Sequence, residues 1–311
     1  MVITKTQTLY LETPAAAIAL SPDENLLAVV GSHLFKIYKV KENGELEDSI
    51  NLRSSKNQNL NYSSSDVEFC PTDDRILASA STNGSVIIWN IKNGRAKLKT
   101  VFKDHGRTVN RINFHPTDEH LLLSGSQDGQ MKLFDDRRDE SVLTFCSNSE
   151  SVRDIQFNPH LTHYFAAGTD SCNVQLWDMR RPDKYERLIT GHRGPVFALD
   201  WHPEDPHCIA TASRDCTIKI WDVSEQSLTV TSAITTVAAV ARVKWRPTHY
   251  YHLASCSLTV DSSACIWDVQ RPFVPIASFA YHRESTSALQ WRPKSNSFIT
   301  VSKDGRLFHH C

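Results

Sequence analysis

The chain has 311 residues, 40% hydrophobic and 22% charged, a globular composition with ample length for a core. A formal net charge of −1 offers no basic excess of the kind nucleic-acid binding uses. The apolar stretches are too short to span a bilayer, and the N-terminus lacks the charged-then-apolar layout of a signal peptide, so no nucleic-acid partner and no direct membrane insertion are expected. Eight cysteines, at 70, 146, 172, 208, 216, 256, 265 and 311, form no Cys-x-x-Cys pair. This usage points away from a zinc or redox framework. It suggests free, mostly buried thiols in a reducing compartment, the cytoplasm.

In chain order, the first expected strand is TQTLYLE (6–12). Seven alternating apolar runs follow, each ending in x-Pro: IALSP (18–22), VEFCP (67–71), INFHP (112–116), IQFNP (155–159), LDWHP (199–203), VKWRP (243–247) and LQWRP (289–293). Successive prolines are 49, 45, 43, 44, 44 and 46 residues apart. Proline cannot donate to a ladder, so it ends each strand. A second signal runs in phase: a small-residue strand, a tight turn, and an alternating strand closed by an aromatic and Asp or Asn. It reads LASASTNGSVIIWN (77–90), LLSGSQDGQMKLFD (122–135), AAGTDSCNVQLWD (166–178), IATASRDCTIKIWD (209–222) and LASCSLTVDSSACIWD (253–268). The first unit, ending FKIYKV (35–40), and the last, FITVSKDGRLFHH (298–310), are degenerate. Asn-Gly at 83–84 and Asp-Gly at 128–129 and 304–305 mark hairpins whose turns need positive φ.

These copies resemble the WD-repeat family, whose period of roughly 40–45 residues corresponds to four strands per propeller blade. The resemblance implies an all-β, seven-bladed propeller as a single domain over 1–311, with repeats from about 13 onward. In such propellers an N-terminal strand commonly completes the last blade. Residues 6–12 are expected to do so, removing an exposed sheet edge. All seven tryptophans (89, 177, 201, 221, 245, 267 and 291) fall on the two repeating aromatic positions, where packing between blades is the simplest reading.

One constellation looks catalytic. In the fifth copy His192, Thr211, Asp215 and Trp221 include a His, a hydroxyl and an Asp. The same residues match the structural tetrad of WD repeats, in which Asp orients His, His bonds the hydroxyl and the hydroxyl bonds the indole. Related sets recur at His105, Ser124, Asp128 and Phe134, and at His282, Thr300, Asp304 and His310. Phe and His in place of Trp leave both incomplete on this reading. A triad occurs once and a structural device once per blade, so recurrence favours structure. The sequence contains no G-x-S-x-G, Walker A, H-E-x-x-H or EF-hand pattern. The His160/His163 and His249/His252 spacings lie in expected loops and are weak evidence for metal. No catalytic residue, cofactor or metal is assigned.

Several segments are similar to one family of WD-repeat propellers, the scaffold subunits of the larger GATOR nutrient-sensing assembly. They include LFKIYKV (34–40), RTVNRINFHPTDEHLLLSGSQDGQMKLFD (107–135), SESVRDIQFNP (149–159), NVQLWDMRRPDKYER (173–187), GPVFALDWHPED (194–205), VARVKWRP (240–247) and WDVQRPFVP (267–275). The likeness extends to loops such as Arg-Arg-Pro-Asp at 180–183, which blade packing does not require. It implies a non-enzymatic scaffold relaying amino-acid sufficiency to the TOR kinase at the lysosome. The implied partners are other GATOR subunits and amino-acid sensors of the Sestrin type. Family members continue into a helical region and a zinc-binding RING-like module. This chain has no such Cys/His clusters, so it reads as the propeller alone, without ubiquitin-ligase activity.

The upper face of such a ring carries the loops before each first strand and the turns between second and third strands. Residues four before each first-strand aromatic, or Leu20 in the first copy, are expected at its rim: Ala16, Ser65, Asn110, Arg153, Phe197, Ala241 and Ser287. Phe197 and Arg153 are the expected partner anchors, with Asn110, and with Arg107 and Arg193 as loop cations facing an acidic or amphipathic segment. Two rivals remain. Trp177-Asp178-Met179-Arg180 matches the ending of the adaptor signature of cullin-ligase substrate receptors, although Ser171 stands where that signature wants Asp. An enzyme with a channel-lining site is disfavoured, because the rim is mostly Ala, Ser and Asn.

Overall fold

The computed structural model describes residues 6–41, 44–53, 62–92, 94–224, 228–258 and 260–310. Its strands form seven four-stranded antiparallel sheets arranged as the blades of a β-propeller. Blade 1 runs from Ala15 to Asn51, blade 2 from Ser64 to Phe102, and blade 3 from Val109 to Cys146. Blade 4 spans Val152–Thr190, blade 5 Val196–Thr235 and blade 6 Val240–Phe279. Blade 7 has three strands from Thr286 to His310, and its fourth is Thr6–Tyr10 from the other end of the chain. That strand pairs antiparallel with Arg306–His310, with Leu9 opposite Leu307.

The repeating pattern folds this way because each sheet is apolar on both faces. Second strands such as Ile76–Ser81 are buried throughout, and their small residues let neighbouring blades approach closely. Seven apolar clusters sit between blades rather than in one centre. The tryptophans divide between two tasks. Trp89, Trp221 and Trp267 end third strands and donate to hydroxyls of their own blade at 2.8–2.9 Å, while Trp177 donates to Gln175 at 3.1 Å. Trp201, Trp245 and Trp291 end first strands and donate to Gln156, Asp200 and Lys244 carbonyls of the preceding blade at 3.1–3.3 Å. Each of these three indoles therefore staples two blades.

Positive φ at Gly84, Gly129 and Gly305 agrees with the turn reading. A Cβ at Gly129 would collide with the Ser149 carbonyl, so a side chain is excluded there as well. In blades 4 and 5 the matching turns place Cys172 and Cys216 at φ near +62°, a cost that sequence patterning did not flag. The cysteine expectation needs correction. Among the described residues Cys70 and Cys256 are buried, Cys146 is exposed and the other four are half-buried, all of them unpaired. Among the described residues no helix is long and apolar enough to cross a membrane.

Candidate functional site

One local distortion builds the upper mouth of the channel. In every blade the pairing of first and second strands slips by one residue at the same point. The skipped residues are Ala16, Ser65, Asn110, Arg153, Phe197, Ala241 and Ser287, the seven rim positions. A bulge leaves its extra residue outside the ladder and re-aims its side chain. All seven line one cavity of about 400 Å³, together with Arg242, Leu258, Ser285, Thr286 and Lys303.

Within this vestibule Phe197 is half-buried, and the Arg153 guanidinium lies 5.8 Å from its ring centroid. Arg153 is less free than a surface anchor. Its Nε and Nη2 donate to both oxygens of Asp170 at 2.6 and 2.8 Å. Asn110 is also engaged, donating to Ser151 Oγ and to the Val152 carbonyl of the next blade at 3.2 and 2.6 Å. Arg107 is exposed and donates to the Gln127 carbonyl at 3.3 Å. The Arg193 side chain is exposed, while its backbone N–H is held by Asp215 at 2.8 Å. The structure thus gathers Asn110, Arg153 and Phe197 at one mouth and leaves Arg107 and Arg193 outside its wall.

Below the vestibule the channel narrows to a cavity of about 330 Å³ lined by charge. The expectation of a rim mostly of Ala, Ser and Asn concerned the mouth and did not extend to this deeper wall. Blades 1 and 7 have Ala17, Ala19, Ala288 and Gln290 one and three positions past the bulge, while in blades 2 to 6 the charged groups of the wall sit at one or both of these positions, not on the bulge. They have a structural task, because the innermost strand of each blade presents an unpaired edge to the channel. Asp66 accepts from Ile112 N–H at 3.0 Å, Glu68 from Phe114, and Asn113 from Phe157. Asp154 accepts from Leu199, Gln156 from Trp201 and Asp200 from Trp245, at 2.8–3.0 Å. Each acceptor therefore satisfies the inner edge of the following blade. Arg111 bridges three blades through Asp66 at 2.6 Å and Asp154 at 2.9 Å, and Lys244 reaches Asp200 at 2.6 Å. Burial, then the neighbouring Asp66, pushes Glu68 up to about 8. The hydrogen bonds of Asp66, Glu68, Asp154 and Asp200 to strand edges account for these carboxyl groups as parts of ring closure.

The tetrads lie outside the channel. His192 Nδ1 is 3.0 Å from Asp215, its Nε2 is 2.7 Å from Thr211 Oγ1, and the Trp221 indole donates to that hydroxyl at 2.8 Å. Burial pushes His192 below its ordinary value, against the opposing pull of Asp215. In blade 3 the chain stops at Ser124, which lies 2.7 Å from His105, because Phe134 has no donor. In blade 7, expected to be incomplete at His310, that imidazole takes the indole's place: its Nε2 is 3.0 Å from Thr300 Oγ1. The loose link is instead His282 Nδ1, 3.4 Å from Asp304 and without a hydrogen bond.

The Trp-Asp-x-Arg ending at 177–180 is an internal clasp, with Arg180 donating to Asp178 at 2.6 Å. The same clasp closes Asp73-x-Arg75 and Asp135-x-Arg137, where no tryptophan precedes the Asp, so it is a strand-end device of this ring. His249 and His252 stack at 4.9 Å, and no group of three or more metal-ligating side chains occurs among the described residues. Arg242, Leu258, Ser285 and Thr286 were vestibule residues missed from sequence. For Arg242 the available signal was a first strand, Val240–Trp245, that carries two cations, Arg242 and Lys244.

Comparison with known proteins narrows this picture. Residues 54–249 match a β-propeller family model described as nucleolar protein 10-like, N-terminal domain. The chain is 46% identical over 309 residues to the GATOR2 complex protein WDR24 of Danio rerio, covering 98% of this chain and 40% of that protein. Against its human counterpart identity is 47%, with 98% and 39% covered. The Dictyostelium discoideum WDR24 is 42% identical over 307 residues, with 96% and 30% covered. The chain thus spans two-fifths or less of the length of these relatives. A chain in a crystal structure of the mitotic checkpoint complex superposes with a TM-score of 0.83 at 18% identity, covering 98% of this chain and 91% of that one, a likeness of fold.

Proposed function

The chain belongs to the nucleolar protein 10-like β-propellers and is homologous over 98% of its length to the propeller region of GATOR2 complex proteins WDR24, and from that premise we propose that it is an interaction platform of a GATOR2-type assembly rather than an enzyme. The observation that carries the reading is identity of 46–47% along the whole chain, against 18% to a propeller that shares only the fold. Blade packing alone is met at the lower figure, so the higher identity supports a relationship closer than a shared fold.

In this reading the propeller docks other GATOR subunits and amino-acid sensors of the Sestrin type. It works in the cytoplasm, recruited to the lysosomal surface, where the assembly relays amino-acid sufficiency to the TOR kinase. The upper face is the docking side. Phe197 supplies an apolar anchor, Arg153 and Asn110 hold the mouth in shape, and Arg107 and Arg193 present free charge around it. The rigid bulge geometry suits a preformed site, because little side-chain freedom is lost on binding.

The test is affinity purification of the tagged chain from cells with and without amino acids, beside Phe197→Ala and Arg193→Glu. GATOR subunits or a sensor are expected with the parent chain and reduced by either substitution. Recovery of a cullin adaptor, or of no GATOR component, overturns the reading. Recovery unaffected by both substitutions moves the docking side away from the upper face.

A further inference from the structure

Arg242 is a channel residue that closure of the ring does not account for. It stands immediately past the bulge of blade 6, where blades 2 and 4 carry Asp66 and Asp154. Those carboxylates accept the inner-edge N–H groups of Ile112 and Leu199. A guanidinium has five donors and no acceptor, so it cannot do this work. Nor is it matched as Arg111 is, by Asp66 and Asp154, or as Lys244 is, by Asp200. Arg242 Nη1 donates to the neighbouring Ala241 carbonyl at 3.1 Å, and its Nε is buried with no hydrogen-bond partner. Leaving a buried charged donor without a partner is destabilising.

The surroundings indicate what would satisfy it. Arg242 lines both the lower channel and the vestibule, so its side chain is within reach of a group entering from above. Phe197, Leu258, Ala16 and Ala241 supply apolar wall. Lys303 lines the same cavity, is exposed and makes no ion pair among the described residues. Across the mouth, Arg153 is already committed to Asp170. Asp66 and Asp154 are occupied by Arg111 and by strand N–H groups, so they do not neutralise Arg242 through hydrogen bonds. Burial, and next Arg111, push the Arg242 guanidinium below its ordinary value, against weaker opposing pulls from Asp154 and Asp66.

We propose that the vestibule receives an acidic side chain from an extended segment of a partner protein, its carboxylate on Arg242 and Lys303 and its apolar neighbour between Phe197 and Leu258. The site rests on the reading of the upper face as the docking side and adds the chemistry of its occupant. An arginine–carboxylate contact in a partly desolvated cavity is strong and directional, and the adjoining aromatic gives the apolar residue a fixed seat.

The experiment pans the immobilised chain with phage-displayed random linear peptides. Selected peptides are then measured by fluorescence anisotropy against the parent, Arg242→Gln, Lys303→Glu and Phe197→Ala, each with its melting temperature. Selected peptides are expected to carry Asp or Glu beside an apolar residue. Changing that acid to its amide is expected to weaken binding about tenfold or more, equivalent to about 1.4 kcal/mol. Arg242→Gln and Lys303→Glu should weaken it similarly, with the melting temperature of Arg242→Gln unchanged or raised as the unmatched charge is removed. Peptides that need Phe197 but carry no acid, or that bind Arg242→Gln equally well, overturn the carboxylate site and leave the upper face as a docking surface. Peptides indifferent to all three substitutions, or no selection at all, remove the docking reading and this site with it. A large fall in the melting temperature of Arg242→Gln, with binding to Lys303→Glu intact, assigns Arg242 to the fold and overturns the proposal.

Discussion

Thr211 is where three polar groups share one atom. Its hydroxyl serves both the His192 imidazole and the Trp221 indole, and it is fully buried. Thr211→Val keeps the shape and leaves two buried groups without partners, which should cost roughly 2–4 kcal/mol. Ser124 supports only the His105 side of its set, since Phe134 makes no demand on it. Ser124→Ala should therefore cost about half as much, roughly 1–2 kcal/mol. Urea denaturation of both variants checks the difference, and equal losses would show that the indole bond contributes nothing. The sequence carried this distinction openly, because donor and acceptor inventories belong to residue types.

At the scale of the strand, the N-terminal segment contributes a ladder and an apolar seam. Thr6–Tyr10 pairs along its length with Arg306–His310, and Leu11 is buried in the cluster that joins blades 7 and 1. Deleting residues 1–12 removes that ladder and the burial of Leu9 and Leu11, a loss of roughly 3–5 kcal/mol on apolar area alone. It also uncovers the Arg306–His310 edge, which invites pairing with another chain. Thermal melting and light scattering should show a lower transition and new aggregation. An unchanged melting temperature would mean that blade 7 stands on three strands. The bulges belong to this scale too. Apolar alternation located each first strand, but the slipped residue has no signature of its own, since Ala, Ser, Asn, Arg and Phe all occupy it.

For the whole molecule, the ring is joined by interlocking inner edges and closes through blade 7, where acid should act first. His309 and His310 are 2% and 1% exposed there. Burial, then Arg292, lowers His309 to about 4; burial, then His282 and His309, lowers His310 to about 3. The folded state thus binds fewer protons than the unfolded chain between pH 6.5 and about 4. Stability from these groups is fully present above the unfolded value and falls as pH drops through that window. The melting temperature should decline from pH 6.5 to about 4, and less steeply in His310→Phe, the residue blade 3 uses at this position. Parallel curves for parent and variant would place the acid sensitivity elsewhere.

Seven copies of an apolar run ending in proline, with an in-phase aromatic-Asp strand, were enough to determine the repeat count and the limits of the first and third strands. These follow from the period of alternation and from proline's missing donor, both local properties of the chain. Four strands per blade and the closing strand came with the WD-repeat resemblance. The rim residues were legible as positions, and the tetrads as residue types at fixed spacing. The chain by itself did not reveal that Arg153 is bound to Asp170, that His310 substitutes for an indole, or that the channel wall carries Asp66, Glu68, Arg111, Asp154, Arg242 and Lys244. Those outcomes depend on which residue of one blade meets the open edge of the next. That meeting is between residues about 45 apart, set by the bulges and by closure of the ring. Arg242 became visible as unmatched only once every neighbour's hydrogen bonds were placed around it.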